Sequence, residues 1–202
     1  MTKKISLIDL ESTCCTNDEF SREDMEIIEI GAVAYNLDTK EILDKKSFFI
    51  KPTLNPQLTD FCKKLTTITQ SDVDNAPLFS DVLKTLQNWI DEHNVNNELI
   101  GWGSWGKYDK NQFRKDINRT NKSDKTFLDT LKHFNIKDYF AYENPDYKGK
   151  FQLAACADFL NIKFEGQLHR GVDDAYNIAK IVQASNMDFN IDVPDIKAKK
   201  FF

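Results

Sequence analysis

Residues 5–12 read I-S-L-I-D-L-E-S, and this stretch decides the fold. Six of the eight residues suit a buried β-strand, but Asp9 and Glu11 stand where further aliphatic side chains are expected. Side chains alternate between the two faces of a strand, so both carboxylates share the face of Ile5 and Leu7. They would repel each other unless a cation lay between them, and oxygen-only ligands favour Mg²⁺ or Mn²⁺. The alternative is a strand that emerges into solvent at Asp9.

The composition is that of an ordinary soluble globular protein, with 202 residues of which 41% are hydrophobic and 29% are charged. The net charge of −5 argues against a surface that grips nucleic acid throughout, while it leaves room for a local basic groove. The four cysteines lack zinc-ligand spacing, and we interpret them as reduced thiols of a cytoplasmic protein. We recognise no signal peptide and no apolar run that could cross a membrane.

Hydrophobic periodicity predicts an α/β domain on a mixed sheet. The short polar connections between the first strands are typical of an antiparallel meander, and strand–helix alternation follows it. No linker divides the chain, so we expect one domain over residues 1–187 and a C-terminal tail over residues 188–202. The end of this tail, I-K-A-K-K-F-F at residues 196–202, should lie at the surface or be poorly ordered. Strands are predicted at 5–10, 25–36, 42–51, 97–102 and 134–141, and helices around 78–90, 108–118, 151–160 and 171–185.

A further acid, Asp109, follows the glycine-rich stretch G-W-G-S-W-G at residues 101–106. The helix expected after it places Asp109 on one stripe with Phe113 and Ile117, and this stripe should face the core. A helix N-cap is the alternative interpretation of Asp109. Residues 107–125 hold seven Lys or Arg against three Asp, a local charge of +4 that suits either a phosphate path or a solvated helix face.

The last cluster is L-H-R-G-V-D-D-A-Y-N-I-A-K-I-V at residues 168–182. On a helix that begins near Gly171, Asp174 shares the side of two isoleucines and should face inward. His169 would then lie in the loop one turn ahead of an inward-facing acid. Asp173 falls on the side of Asn177 and Lys180, so we expect it to face water, where it can pair with Lys180.

Taken in order, these acids and the histidine resemble the three-motif pattern of the DEDDh 3′→5′ exonucleases, and more closely its Eri-1-like subgroup, which trims small RNAs and histone mRNA ends. The similarity extends over roughly residues 4–186. It rests on I-D-L-E-S-T-C, E-I-I-E-I-G-A-V, K-P-x-L-N-P-Q-L-T-D-F-C-K-K-L-T-T-I-T-Q, W-G-K-Y-D-K and H-R-G-V-D-D-A-Y-N-I-A.

The resemblance implies an RNase H-like exonuclease fold, in which helices flank a five-stranded mixed sheet. It also implies that His169 is the general base. The same resemblance makes four carboxylates the ligands of two divalent metal ions, Mg²⁺ or Mn²⁺: Asp9, Glu11, Asp109 and Asp174.

The resemblance implies that the segment from Leu65 to Ile68 lines the pocket of the terminal nucleotide, with Thr67 where the family usually has glycine. From the position of Ser12 and Thr13 after Glu11, we expect them near the terminal sugar. Apolar and aromatic side chains hold unpaired bases by stacking, and the candidates for this contact are Leu65, Ile68 and Tyr108.

The sequence thus predicts a metal-dependent 3′→5′ exonuclease that releases nucleoside 5′-monophosphates from single-stranded ends, of RNA more than of DNA. We expect no membrane partner, and no nucleic-acid-binding domain ahead of Asp9 such as the animal Eri-type enzymes carry. Two alternatives stay open: a catalytically silent regulatory or binding protein on the exonuclease fold, similar to inhibitors of a sporulation kinase pathway, and a DNA-specific exonuclease.

Overall fold

A computed structural model of the chain describes residues 2–16, 19–120 and 126–196. Its centre is a five-stranded sheet in the order β3-β2-β1-β4-β5. Strand β1 pairs antiparallel with β2 and parallel with β4, so the predicted mixed sheet and its opening meander are confirmed. The strands are β1 Lys4–Ser12, β2 Ile27–Asn36, β3 Glu41–Phe49, β4 Leu99–Ser104 and β5 His133–Asn135.

Helices cover both faces of this sheet. The α-helices among the described residues are α1 Asp60–Thr66, α2 Gln70–Asp74, α3 Phe79–His93, α4 Tyr108–Arg119, α5 Phe127–Thr130, α6 Ile136–Glu143, α7 Leu153–Phe159 and α8 Gly171–Ala184, with short 3₁₀ turns at Arg22–Asp24 and Val95–Asn97. None of these described helices is both long enough and apolar enough to cross a bilayer.

The alternation of β1 divides the core into two layers. Ile8 and Leu10 pack with residues of α3 and α4 in one hydrophobic cluster. Ile5 and Leu7 pack with residues of α8 in another. Asp9 and Glu11 have the same parity as Ile5 and Leu7, so the strand carries its carboxylates where the α8 layer ends.

The prediction of a strand over residues 134–141 is wrong. Strand β5 ends at Asn135, and helix α6 follows it directly. Ile136, Tyr139 and Phe140 are all buried, and their spacing of three and four residues matches a helix face rather than a strand face. The Asn135 amide also donates to Asp138 in the first turn of α6, at 2.6 Å.

Residues 188–196, assigned to the tail by sequence, lie against the sheet edge. The Phe189 ring packs at 5.1 Å from Phe134 and at 5.0 Å from Tyr139. The Tyr139 hydroxyl donates to the Ile191 carbonyl at 2.7 Å. The expectation that the end of the tail lies at the surface concerns residues 196–202, of which 197–202 fall outside the described residues.

Helix α1 ends in a strained residue. Thr67 caps the helix at φ 60° and ψ 8°, the left-handed conformation, and its side chain is exposed. A β-branched residue is rarely found there, whereas glycine adopts this conformation freely. The glycine that the similar family usually has at this position therefore matches the backbone that this chain forms with threonine.

We expect Thr67→Gly to raise the free energy of unfolding by up to about 1 kcal/mol. Removing Cβ relieves roughly 1–2 kcal/mol of left-handed strain, and the greater freedom of glycine in the unfolded chain offsets part of it. Urea unfolding would measure the change. Thr67→Ala, which keeps Cβ, is the control and should gain less; a glycine variant less stable than the parent would contradict the argument.

Candidate active site

The first half of the site is the end of β1 and the start of α4. Asp9 and Glu11 stand on the central strand, which is hydrogen-bonded on both sides. Asp109 lies in the first turn of α4 and is 4% exposed. Its Oδ1 accepts the backbone N–H of Leu10 at 3.1 Å, so the third carboxylate lies against the segment between the first two. Asp109 is therefore a buried site residue, as its helical stripe predicts.

The second half is the start of α8. Asp174 is 6% exposed, and its Oδ2 accepts the backbone N–H of His169 at 3.0 Å. His169 is exposed and adopts the left-handed conformation, with φ 63°. Such conformations cluster at functional sites, where the surrounding structure holds them. One potential ligand atom each from Glu11, His169 and Asp174 lies within 4.8 Å of the other two.

Helix α8 reaches this position because two glycines let its first turn touch the sheet. A Cβ added to Gly31 in β2 would lie 1.9 Å from the carbonyl carbon of Gly171. A Cβ on Gly171 would lie 2.9 Å from the nitrogen of Gly31 and 3.1 Å from the carbonyl oxygen of Asp9. Any larger residue at Gly31 would push the start of α8, and Asp174 with it, away from β1.

Glu29, one strand over from Asp9, fixes the same contact. This fully buried carboxylate accepts the backbone N–H of Gly171 at 3.0 Å, Arg170 Nε at 3.1 Å and the Ser47 hydroxyl at 2.7 Å. It thereby holds the two residues that follow His169. Sequence reasoning did not single out Glu29; the available signal was one acid inside the otherwise apolar strand I-I-E-I.

The carboxylates raise one another's pKa values. Burial raises the pKa of Asp9 well above its ordinary value, and the charges of Asp109 and Asp174 raise it further. Burial and the nearby acids raise the pKa of Glu11 to about 9. Burial likewise raises the pKa of Asp174 to about 7 and that of Asp109 to about 6, against hydrogen bonds that lower them. The site therefore binds either protons or cations strongly.

The residues fit a hard divalent cation. Their donors are carboxylate oxygens, the ligand type that Mg²⁺ and Mn²⁺ prefer. Asp174 Oδ1 is buried without a hydrogen-bond partner among the described residues, and such an orphaned acceptor needs a cation or a proton. This donor set can therefore hold divalent metal ions.

A cavity of about 510 Å³ opens over these groups. The predicted contacts Ser12, Leu65 and Tyr108 are in its wall together with all five predicted catalytic residues. Tyr108 is 48% exposed, so its ring is available for stacking. The sequence analysis did not single out several other wall residues: Met25, Trp105, Gln152, Leu153, Ala154 and Leu168.

Two predicted substrate contacts are not in the wall of this cavity. Ile68 is fully buried, in a cluster with Ile28, Leu58 and Val73, so it cannot stack on a base. Thr13 is 2% exposed, and its hydroxyl accepts the backbone N–H of Glu26 at 2.9 Å. Both side chains contribute to packing beneath the cavity instead of lining it.

The expected pairing of Asp173 with Lys180 is also wrong. Lys180 Nζ lies 2.7 Å from Glu165 Oε1. Asp173 is half-buried, and its Oδ2 accepts the backbone N–H of Gln167 at 2.8 Å. Asn177, expected on the same polar side, is fully buried. This side of α8 is covered by the loop that leads to His169, which the helical phase alone could not reveal.

Comparisons with known proteins find similar exonucleases. The exonuclease family model RNase_T matches residues 6–182. The 3′-5′ exonuclease eri1 of Schizosaccharomyces pombe is 30% identical over 91% of this chain and 69% of its own length. Human 3′-5′ exoribonuclease 1 is 32% identical over 88% of this chain, which spans about half (50%) of that relative.

Solved structures give the same picture. The nuclease domain of 3′hExo, a DEDDh family member bound to rAMP, superposes with a TM-score of 0.77 at 28% identity, over 90% of each chain. A 3′-exonuclease whose structure describes 3′-end recognition of the histone mRNA stem-loop gives a TM-score of 0.80 at 28% identity, over 90% of this chain and 80% of that one.

The raised carboxyl pKa values predict how the metal-free protein responds to pH. Between the ordinary carboxyl pKa and the raised folded-state values, the folded protein holds protons that the unfolded chain has released. Its free energy of unfolding should therefore fall as pH rises from about 5 to 9. Mn²⁺ should raise Tm more at pH 8 than at pH 5, because protons compete for the same oxygens.

Thermal unfolding with EDTA and with Mn²⁺ at several pH values would measure both trends. Asp9→Asn serves as the matched variant, since it keeps the shape of the side chain and removes one charge. It should show a smaller Mn²⁺-induced shift; equal shifts in the two proteins would place the bound metal elsewhere.

Proposed function

We propose a function for this chain, which belongs to the RNase_T exonuclease family. It is a metal-dependent 3′→5′ exonuclease that releases nucleoside 5′-monophosphates from single-stranded RNA ends. The observation that carries the proposal is the meeting of four carboxylates and one histidine in a single cavity. The RNA assignment is supported by two relatives of known structure, one with bound rAMP and one described at a histone mRNA stem-loop.

The roles of the residues follow from their positions. Four carboxylates would hold two divalent ions: Asp9, Glu11, Asp109 and Asp174. When bound, such ions activate a water and stabilise the departing oxygen of the phosphodiester. His169 is the exposed imidazole at the same cavity, and imidazole is suited to take the water's proton near neutral pH. Asp174 orients His169 through the backbone N–H that it accepts.

The wall of the cavity would receive the terminal nucleotide. Tyr108 offers an exposed ring and Leu65 an apolar side chain on which an unpaired base can stack. Ser12 lies in the cavity wall directly after Glu11, and its side chain interacts with that of Tyr108. Ser12 is thus proposed as a contact to the terminal ribose.

The proposal also covers the extent of the catalytic domain and the location of the protein in the cell. We propose residues 1–187 as the catalytic domain, with residues 188–196 lying against its edge, and a cytoplasmic location with reduced cysteines. The silent regulatory protein is disfavoured because every expected catalytic position is filled and turned to one cavity. The DNA-specific exonuclease remains an outcome that the assay can return.

The test is digestion of 5′-labelled single-stranded RNA and DNA of one sequence. With Mg²⁺ or Mn²⁺ we expect a ladder of successively shorter RNA products, which EDTA abolishes and a 3′-phosphate blocks. A DNA ladder without an RNA ladder would establish the DNA-specific alternative. Cleavage of a circular single strand would contradict exonuclease action, and absence of any product would support the silent protein.

Two adjacent acids on α8 separate catalysis from structure. Asp174→Asn removes a charge from the cavity and should lower kcat by on the order of 10²-fold or more, as loss of one electrostatic stabiliser of a transition state does. Asp173→Asn should stay within a few-fold of the parent, because an asparagine oxygen can still accept the N–H of Gln167. Steady-state cleavage of a short RNA, with circular dichroism to confirm folding, measures both. The reverse ranking would show that our assignment of α8 is wrong.

A further inference from the structure

One side of α4 carries a row of cations beside the active site. We call Lys107, Lys110 and Arg114 the cationic face. These residues are three and four positions apart, so they follow one side of the helix. Lys107 and Arg114 are exposed and Lys110 is half-buried. Lys107 and Lys110 also line a depression of about 240 Å³, together with Lys132 at the start of β5.

The three charges lie close enough to affect one another. Burial lowers the pKa of Lys110, and the charges of Arg114 and Lys107 lower it further. His133, which lines the same depression, has its pKa lowered to about 4 by burial and then by all three cations. His133 is therefore neutral near pH 7. Among the residues that the structure describes, Lys110 and Arg114 form no ion pair. Lys110 and Arg114 are therefore two like charges without a counter-charge among the described residues, and such a pair favours an anionic ligand.

The chain itself shows that carboxylates bind at this surface. Residues 188–196 pass over the depression and bring two acids to it. Asp195 pairs with Lys107, and Asp192 lies 2.7 Å from Lys132. The third acid of the depression, Asp138, accepts the Asn135 amide and the backbone N–H of Ile196. The Asp192 and Asp195 carboxylates occupy one end of the surface and leave Lys110 and Arg114 open.

The cationic face is next to two catalytic-cavity residues in sequence. Lys107 and Lys110 directly flank Tyr108 and Asp109 in sequence, and both of these line the catalytic cavity. From Lys107 to Arg114 the helix rises about 10 Å. If the 3′-terminal nucleotide occupies the cavity, every other nucleotide lies on its 5′ side and must leave the cavity across its rim. The cationic face offers such a strand a line of charges away from the cavity.

We propose that Lys107, Lys110 and Arg114 bind phosphates of the single strand on the 5′ side of the scissile bond. This proposal rests on the proposed exonuclease function, and it says how the enzyme holds a chain longer than two nucleotides. Asp192 and Asp195 compete with those phosphates at the near end. The overall charge of −5 confines this attraction to one part of the protein, so that the strand is held beside the site.

The test compares a 12-nucleotide RNA with a dinucleotide, which is too short to leave the cavity. Lys110→Gln/Arg114→Gln should raise KM for the 12-mer about tenfold and leave kcat and the dinucleotide kinetics unchanged. Its binding of the 12-mer should also depend less on salt, with a slope of log K against log salt shallower by about 1.4, since each single-strand phosphate contact contributes roughly 0.7. Asp192→Asn/Asp195→Asn should lower KM for the 12-mer only.

Lys84→Gln/Lys163→Gln is the matched control: it removes the same charge from two exposed lysines outside the cationic face and should behave as the parent does. An unchanged KM for the 12-mer in the face variant, or an equal loss in the control, would overturn the proposal. Fluorescence anisotropy of the labelled 12-mer measures the surface without turnover. If the parent hydrolyses neither substrate, the proposed function fails, while the anisotropy still decides whether the face binds RNA.

Discussion

The backbone contact between Gly31 and Gly171 is the constraint on which the site depends. It lets the first turn of α8 rest on β2 at a distance that no side chain would permit. Glu29 then fixes that turn by accepting the N–H of Gly171 and pairing with Arg170. With α8 held in this way, Asp174 faces the carboxylates of β1. The catalytic geometry therefore begins with the absence of two Cβ atoms rather than with any acid.

The carboxylates themselves oppose this arrangement, because each is more difficult to ionise beside the others. The protein tolerates them because they stand on rigid supports. Strand β1 is central in the sheet, and Asp109 is tied to its backbone through the N–H of Leu10. Repulsion therefore cannot be relieved by moving the side chains apart, and it is relieved by a proton or a cation instead.

Much of the site could be predicted because strand and helix periodicity determine direction. The alternation of side chains along a strand predicted that Asp9 and Glu11 share one face. The 3.6-residue period of a helix predicted that Asp109 and Asp174 face inward. Periodicity was insufficient where a prediction depended on which distant segment covers a residue. Ile68 was expected to contact a base, whereas residues of α1 and α2 cover it. Asp173 was expected to face water, whereas Gln167 donates a backbone hydrogen bond to it.

The remaining errors have the same origin. Residues 134–141, F-N-I-K-D-Y-F-A, are compatible with both a strand and a helix. The helix is the observed structure, and it buries Ile136 and Phe140 together. Glu29 could not be interpreted from sequence because its significance lies in Arg170, 141 positions away. Short helices such as α1 and α2 end before a periodic pattern can become apparent.

Asp174 has two oxygens with two separate tasks, and this has a consequence for failure. Oδ2 accepts the N–H of His169, while Oδ1 is buried in the cavity and has no other described partner. A displacement of the first turn of α8 would withdraw an acidic oxygen from the cavity and release the imidazole loop in one movement. Loss of function by that route would therefore remove the fourth carboxylate and the histidine together, while the three acids held by β1 and α4 stay in place.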